Sequence, residues 1–213
     1  MKRKNLKKNI INRKVCICKN KLKQKISFGK LPLINNYKKK KNLIKYPTVV
    51  SQCSSCGLIQ LKYSVSDKML FPKNYSYLSG NSKEKIYNFI SLIKKIKKIS
   101  KKKNSNILDI GSNDGSFINL AKKQGFNILG IEPTNTADIS IKKGLNTIKK
   151  TLDKKLSRLL IKKYPKFDFI IANNFFAQTN NLEEIIESIK LILNKNGLLI
   201  VEVQYLYDLL KQG

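Results

Sequence analysis

From residue 105 onward, short apolar runs alternate with amphipathic stretches. Residues 107–110 predict a strand ending at Gly111, and 116–123 a helix closed by Gly125. A second strand over 127–131 ends at Glu132, where Pro133 forbids simple continuation. A helix over 137–143 stops at Gly144, a weak strand falls at 145–148, and a helix covers 152–164. Residues 167–172 predict a buried strand, 182–193 a helix, 197–203 a fifth strand, and 205–210 the start of another helix. This order predicts an α/β fold built on a doubly wound parallel sheet.

The first half follows a different pattern. Residues 1–12 form a basic tail, and residues 13–62 hold all four cysteines between short apolar runs. A segment that small cannot bury a large core, which makes it a candidate for a metal staple. Residues 63–81, rich in Tyr, Ser, Asn and Gly, predict an irregular connector. Over 84–99, Ile86, Phe89, Ile90, Ile93 and Ile96 recur at helical spacing with lysines on the other face. A helix docked on its neighbour fits that stripe, and a membrane-surface helix is the alternative. Residues 101–106 predict a polar linker. The expected division is a tail (1–12), a cysteine module (13–62), a connector with an amphipathic helix (63–104) and an α/β domain (105–213). No run reaches 18 uncharged apolar residues and no signal-peptide core follows the N-terminus, so no membrane span is expected and the default location is cytoplasmic.

Charge changes the picture less than its size suggests. The 213 residues carry 44 Lys+Arg against 13 Asp+Glu, a net charge of +31. Residues 1–104 hold 29 of the basic residues and only 2 acids, so the second half is nearly balanced. Lysines number 41 and arginines 3, whereas surfaces that grip phosphate or read bases favour the arginine fork. Lys, Asn and Ile together make up 92 residues and share A/T-rich codons, so base bias explains much of the excess. A polyanion-binding surface remains the alternative. The chain has no histidine, which rules out any His-based triad.

Candidate chemistry gathers at two places. The run Leu108-Asp109-Ile110-Gly111-Ser112-Asn113-Asp114-Gly115 occupies a strand-to-helix turn, where glycines let backbone N–H groups approach a ligand. Glu132 ends the next strand, where a carboxylate can accept both hydroxyls of a ribose. The G-x-G-x-x-G spacing of a pyrophosphate seat is absent, which favours an adenosine-bearing ligand without pyrophosphate. The bland alternative is a tight turn beside an exposed strand end. Asn173 and Asn174 follow the fourth strand and could present amides to a ligand, with Phe175 or Phe176 shielding it; an Asn-rich loop from base bias is the alternative. Glu202, Gln204 and Tyr205 hold the corresponding place after strand five.

The second place is the cysteine set. Cys53-Ser54-Ser55-Cys56-Gly57 has the form of a metal knuckle. Cys16-Ile17-Cys18 is less regular, because one intervening residue leaves little turn for tetrahedral chelation. Four thiolates suit a closed structural zinc site; unmetallated cysteines and redox or iron–sulfur chemistry are the alternatives.

Taken in series, several segments resemble the nucleotide-sugar C-methyltransferases that act on keto-deoxysugars. They are Leu31-Pro32-Leu33-Ile34-Asn35-Asn36-Tyr37, the Cys53/Cys56 knuckle with Gly57-Leu58-Ile59-Gln60-Leu61, Leu70-Phe71 with Tyr75-Ser76-Tyr77 and Ser79, Ile110-Gly111-Ser112-Asn113-Asp114-Gly115, Gly130-Ile131-Glu132-Pro133 and Ala172-Asn173-Asn174. The resemblance implies an N-terminal zinc module and a class I methyltransferase domain of Rossmann-like parallel sheet, incomplete at its C-terminal side. It also implies that Asp109, Gly111, Asn113, Gly115, Glu132 and Asn173 bind S-adenosyl-L-methionine. Cys16, Cys18, Cys53 and Cys56 would hold a structural Zn(2+). Tyr75, Tyr77, Asn174 and Gln178 would line the pocket of a nucleotide-linked sugar. The implied reaction removes a proton beside a sugar ketone, and the resulting enolate attacks the donor methyl group.

This chain departs from the family in three ways. Its first cysteine pair is C-x-C where the family has C-x-x-C. Gln178 stands where the family commonly has His. The family's proposed base follows the last residue here, so no catalytic residue is assigned. The expectation is a fragment or split-gene half that binds donor without turning over alone, or one completed by a separate chain. Competing functions are an RNA or other small-molecule methyltransferase and a zinc-stabilised nucleic-acid-binding module; only the last predicts steep salt dependence as its main binding signature.

Overall fold

The computed structural model describes residues 10–33, 43–72, 74–100, 102 and 104–212. Most of the basic tail and residues 34–37 of the Leu31 motif lie outside them. The chain divides into two units, residues 1–72 and 73–213.

The first unit is made of short antiparallel pairings. Strand β1 (Ile10–Asn12) pairs with β5 (Tyr63–Val65). A three-stranded sheet has the order β2 (Leu22–Pro32), β3 (Lys45–Cys53), β4 (Ile59–Leu61). The β2–β3 register opposes Leu22 to Cys53 and slips twice before Pro32. Helix α1 (Asp67–Leu70) follows. Two expectations change here. Residues 10–12 are a strand and not part of a tail, and 63–70 contain a strand and a helix where an irregular connector was expected. A three-residue strand has no readable periodicity, so its pairing partner alone defines it. Burial is sparse: Tyr46, Val49, Val50, Cys53 and Val65 are enclosed along with Cys16, while β2 is exposed at every position but Leu22.

The second unit begins with helix α2 (Lys83–Ile99), capped by Ser82 Oγ, which accepts from the Lys85 N–H. Phe89, Ile93 and Ile96 are its buried stripe, whereas Ile90 at the stripe's edge faces solvent. The alternation then runs β6 (Asn106–Ile110), α3 (Ser116–Lys123), β7 (Asn127–Ile131), α4 (Thr136–Lys142), β8 (Thr147–Ile148), α5 (Lys154–Lys163), β9 (Phe167–Asn173), α6 (Leu182–Ile192), β10 (Leu193–Glu202) and α7 (Leu206–Gln212). All pairings are parallel in the order β10-β9-β6-β7-β8. Strand β10 starts four residues before the expected 197, because Leu193 already pairs with Phe167 ahead of an irregularity that ends at Leu198. The expected strand at 145–148 keeps only two residues.

Apolar side chains of the strands point to alternate faces, as the pleat requires. Ile107, Phe169 and Ile171 pack with α2 and α3 through Phe89, Ile93, Ile96, Phe117, Ile118 and Ala121. Leu108, Ile110, Leu129, Ile131 and Ile170 pack on the other face with α5 and α6 through Leu156, Leu160, Ile185 and Ile189. Helices on both faces make the sheet doubly wound, and the strand order reverses direction between β6 and β9. Ligands bind beyond the carboxyl ends of strands at such a reversal. Among the described residues β10 has no partner on its outer edge, and Leu198, Leu199 and Val201 on it are exposed. No helix among them is long and apolar enough to cross a membrane.

Candidate functional site

The loop after β6 is shaped by three left-handed residues, Gly111 (φ 74°), Asn113 (φ 51°) and Gly115 (φ 78°). Gly115 is required twice over. Its positive φ favours glycine, and a Cβ there would sit 2.2 Å from Ser140 Oγ and 2.7 Å from Leu145 Cδ1. Gly111 lies under Phe175, whose Cδ2 would be 3.5 Å from an added Cβ. The turn is tied to the end of β7, where the Gly111 and Ser112 N–H groups donate to Ile131 O at 2.8 and 3.1 Å.

Glu132, at the end of β7, is buried and braced by backbone. Its Oε2 accepts the Asn113 N–H at 3.0 Å and its Oε1 accepts the Thr134 N–H at 2.8 Å. Each oxygen keeps a second lone pair for another donor. Asp109, deep in β6, has its carboxyl pushed well above the usual range, first by burial and then by the Glu132 charge, with Lys85 opposing.

Asn113 has its side chain committed: Oδ1 accepts the Ser79 N–H at 2.9 Å, and Nδ2 donates to Tyr77 O at 3.0 Å. The Gly80 N–H donates to Asp114 Oδ2, and the Tyr75 N–H to Asn135 Oδ1 at 2.7 Å. Residues 75–80 are thereby laid along the glycine loop and the loop after β7. Tyr75 and Tyr77 stand on that rim, Tyr77 exposed and Tyr75 half-buried.

At the end of β9, Asn173 and the following Asn174 do different things. Both polar atoms of the Asn173 side chain are buried without a protein partner, as is Ser112 Oγ in the glycine loop. Buried amides left this way need a ligand or water. Asn174, with φ 54°, donates its N–H to Glu202 O at 2.8 Å and its Nδ2 to Glu202 Oε1 at 3.0 Å. Phe175 and Phe176 meet edge to face, and Gln178 is exposed one turn further on. Of the ten residues expected at donor and acceptor sites, Tyr77 and Gln178 are the exposed ones among the side-chain-bearing positions. Lys85, Thr134 and Asn135 belong to the same edge and were missed. Lys85 was hidden among the helix lysines, and the other two make backbone-level contacts that no motif encodes.

Within the first unit the four cysteine sulfurs all lie within 4.8 Å of one another. Cys16 Sγ to Cys56 Sγ measures 3.7 Å and Cys18 Sγ to Cys53 Sγ 3.4 Å. A tetrahedral zinc with Zn–S of about 2.3 Å has S···S edges of about 3.8 Å, so the donor set fits. The short C-x-C spacing works because Lys19, at φ 66°, reverses the chain and the Cys16 N–H bonds to Asn20 O. The knuckle's Ser55 and Cys56 N–H groups point at Cys53 Sγ. Cys18 is lowered to about 6, first by the Asn20 backbone and side chain. Cys56 is lowered by the Leu58 backbone bond, but the Cys18 and Cys53 sulfurs and burial together outweigh it and raise the thiol to about 12.

Comparison with known proteins agrees with this division. Residues 82–212 match the family described as "Methyltransferase domain", and residues 16–71 the one described as "Putative zinc binding domain". C-methyltransferase NovU of Streptomyces niveus is 24% identical over 194 residues, covering 88% of this chain and 46% of the relative. The chain thus spans about half the length of that curated relative. Among solved structures, the PH0226 protein from Pyrococcus horikoshii OT3 aligns with a TM-score of 0.52 at 21% identity, covering 68% of each chain.

Proposed function

The chain belongs to the methyltransferase-domain family, and on that footing we propose that it is a C-methyltransferase acting on a nucleotide-linked keto-deoxysugar. Its second unit is a class I domain for S-adenosylmethionine, and its cysteine cluster is capable of coordinating a structural zinc ion. The observation that carries the finer reading is the similarity to a C-methyltransferase through 88% of the chain, a span that reaches into both units.

The donor supplies an electrophilic methyl group on a sulfonium. Glu132 offers two braced carboxylate oxygens to the ribose hydroxyls, and Asn173, at the end of β9, offers an unpartnered amide. Gly111 lets the backbone close on the ligand, while Asn113 holds the rim at Tyr77 and Ser79. Tyr75, Tyr77 and Asn174 face the acceptor in this reading, with Gln178 outside them. The acceptor carbon loses its proton to a base and then forms a C–C bond as the donor S–C bond breaks. These 213 residues supply no histidine for that proton.

Calorimetric titration with S-adenosylhomocysteine tests the donor site: saturable binding is expected, and folded protein that gives no heat and no thermal protection overturns it. Mass analysis of a keto-sugar nucleotide incubated with donor and chain then tests the acceptor. A gain of one methyl on carbon supports the sugar reading, and methylation of RNA in its place refutes it.

A further inference from the structure

We propose that Lys85 is a positioning residue which, through Glu202, holds the turn at Asn174 and Phe175 against the glycine loop. The geometry stands by itself, and only the donor-binding arm of the test rests on the function proposed above.

The other lysines of α2 lie on its polar face. Lys85 does not follow them: its side chain is 13% exposed, and its ammonium sits 2.5 Å from Glu202 Oε1 and 5.4 Å from the Phe89 ring centroid. A long cationic side chain is withdrawn from water only where it is paired, and here the partner is the last residue of β10. Its charge also bears on Asp109, so it acts as a cation among the carboxylates at this edge of the sheet.

Glu202 passes the constraint on. The oxygen that receives Lys85 also accepts Asn174 Nδ2, and the backbone carbonyl of Glu202 accepts the Asn174 N–H. Asn174 is therefore gripped at two atoms by one residue while in a left-handed conformation that non-glycine residues seldom adopt. Phe175 follows directly and lies over Gly111, where even one added carbon would be in van der Waals contact. Remove the ammonium and Glu202, 39% exposed, is free to turn toward water. Asn174 then loses the anchored amide, and its backbone bond to Glu202, left without that support, opens more often.

A plain ion pair fastening α2 to β10 is the competing account. It predicts loss of stability through the unit with no special change at the turn. Hydrogen exchange on the full chain separates the two, because the Asn174 and Gln178 N–H groups are both bonded in the turn. For Lys85→Met we expect these amides to exchange about tenfold faster, the equivalent of about 1.4 kcal/mol, with α3 amides unchanged. Lys85→Arg should restore most of the protection. S-adenosylhomocysteine should bind about tenfold more weakly to Lys85→Met and near normally to Lys85→Arg. Unchanged exchange at the turn, or a uniform rise across the unit, overturns the proposal. If Lys85→Met does not fold, Glu202→Gln, which keeps an acceptor for Asn174 but removes the charge, gives the same readout. If the native chain binds no S-adenosylhomocysteine, the function above fails while the exchange result still decides this proposal.

Discussion

The two units solve the same problem of small-domain stability by different means. The second encloses aliphatic and aromatic side chains on both faces of a five-stranded sheet, with Ile107, Leu108, Ile170 and Ile171 all fully buried. The first encloses few such residues and exposes Phe28, Leu31, Ile59 and Leu61 on its sheet. What it has instead is four sulfurs converging from two turns that are 35 to 40 residues apart in sequence. Where the core is thin, four thiolates able to hold a zinc ion converge; where the sheet is wrapped, packing suffices.

That contrast breaks most visibly when the metal is removed. Structural zinc contributes on the order of 10 kcal/mol to small metal-folded domains. Chelation, or Cys53→Ser at a buried ligand, should therefore abolish amide protection over β2 and β3, measured by hydrogen exchange. The second unit contains no cysteine, and α3 and β6 should keep their protection. If β2 and β3 stay protected in the chelated protein, the metal is not what holds the module.

The converse substitution acts on packing. Phe117 is 1% exposed and meets Phe89 edge to face at 5.3 Å between centroids. Phe117→Ala should cost about 3–5 kcal/mol, read as a lower denaturant midpoint for the second unit, with the zinc stoichiometry unchanged. A loss well under that range would mean that α2 and α3 collapse onto the vacated space.

These same features governed what could be read from sequence. The sheet was legible because parallel strands buried on both faces are near-continuous apolar runs, such as Phe169 to Ala172, separated by glycine-closed helices. The donor loop was legible because Gly111 and Gly115 stand at backbone angles few other residues take. Strand β1 was not, since Ile10, Ile11 and Asn12 carry no period and gain their structure only from residues 63–65. The C-x-C pair looked too short for tetrahedral chelation, because its geometry depends on a left-handed Lys19, which residue type does not announce. Lys85 was invisible for a plainer reason. In a chain with 41 lysines, one buried lysine looks like all the others.

Two aspartates of the second unit carry the comparison to its finest scale, since they should respond oppositely to pH. Asp168, at the start of β9, is pushed up by burial, but Lys102, the Asn106 N–H and Asn194 outweigh that and leave it below its ordinary value. Its contribution is present above the unfolded pKa and lost as pH falls through the lower folded one. Asp109 is the reverse. Burial and the Glu132 charge raise it, so the folded state holds its proton more tightly than the unfolded chain does. Below about pH 3.9, the ordinary aspartate value, both states are protonated and the residue is neutral to stability. Above that, the unfolded chain releases its proton first, and each pH unit up to the raised pKa costs about 1.4 kcal/mol. Asp109→Asn removes this burden. The variant should match the native protein near pH 3 and grow more stable relative to it toward pH 7, measured as the difference between two urea midpoints at each pH. A variant less stable at pH 7 would mean that the Asp109 carboxylate is stabilised as an anion by Lys85 more than burial penalises it, and the sign would be reversed.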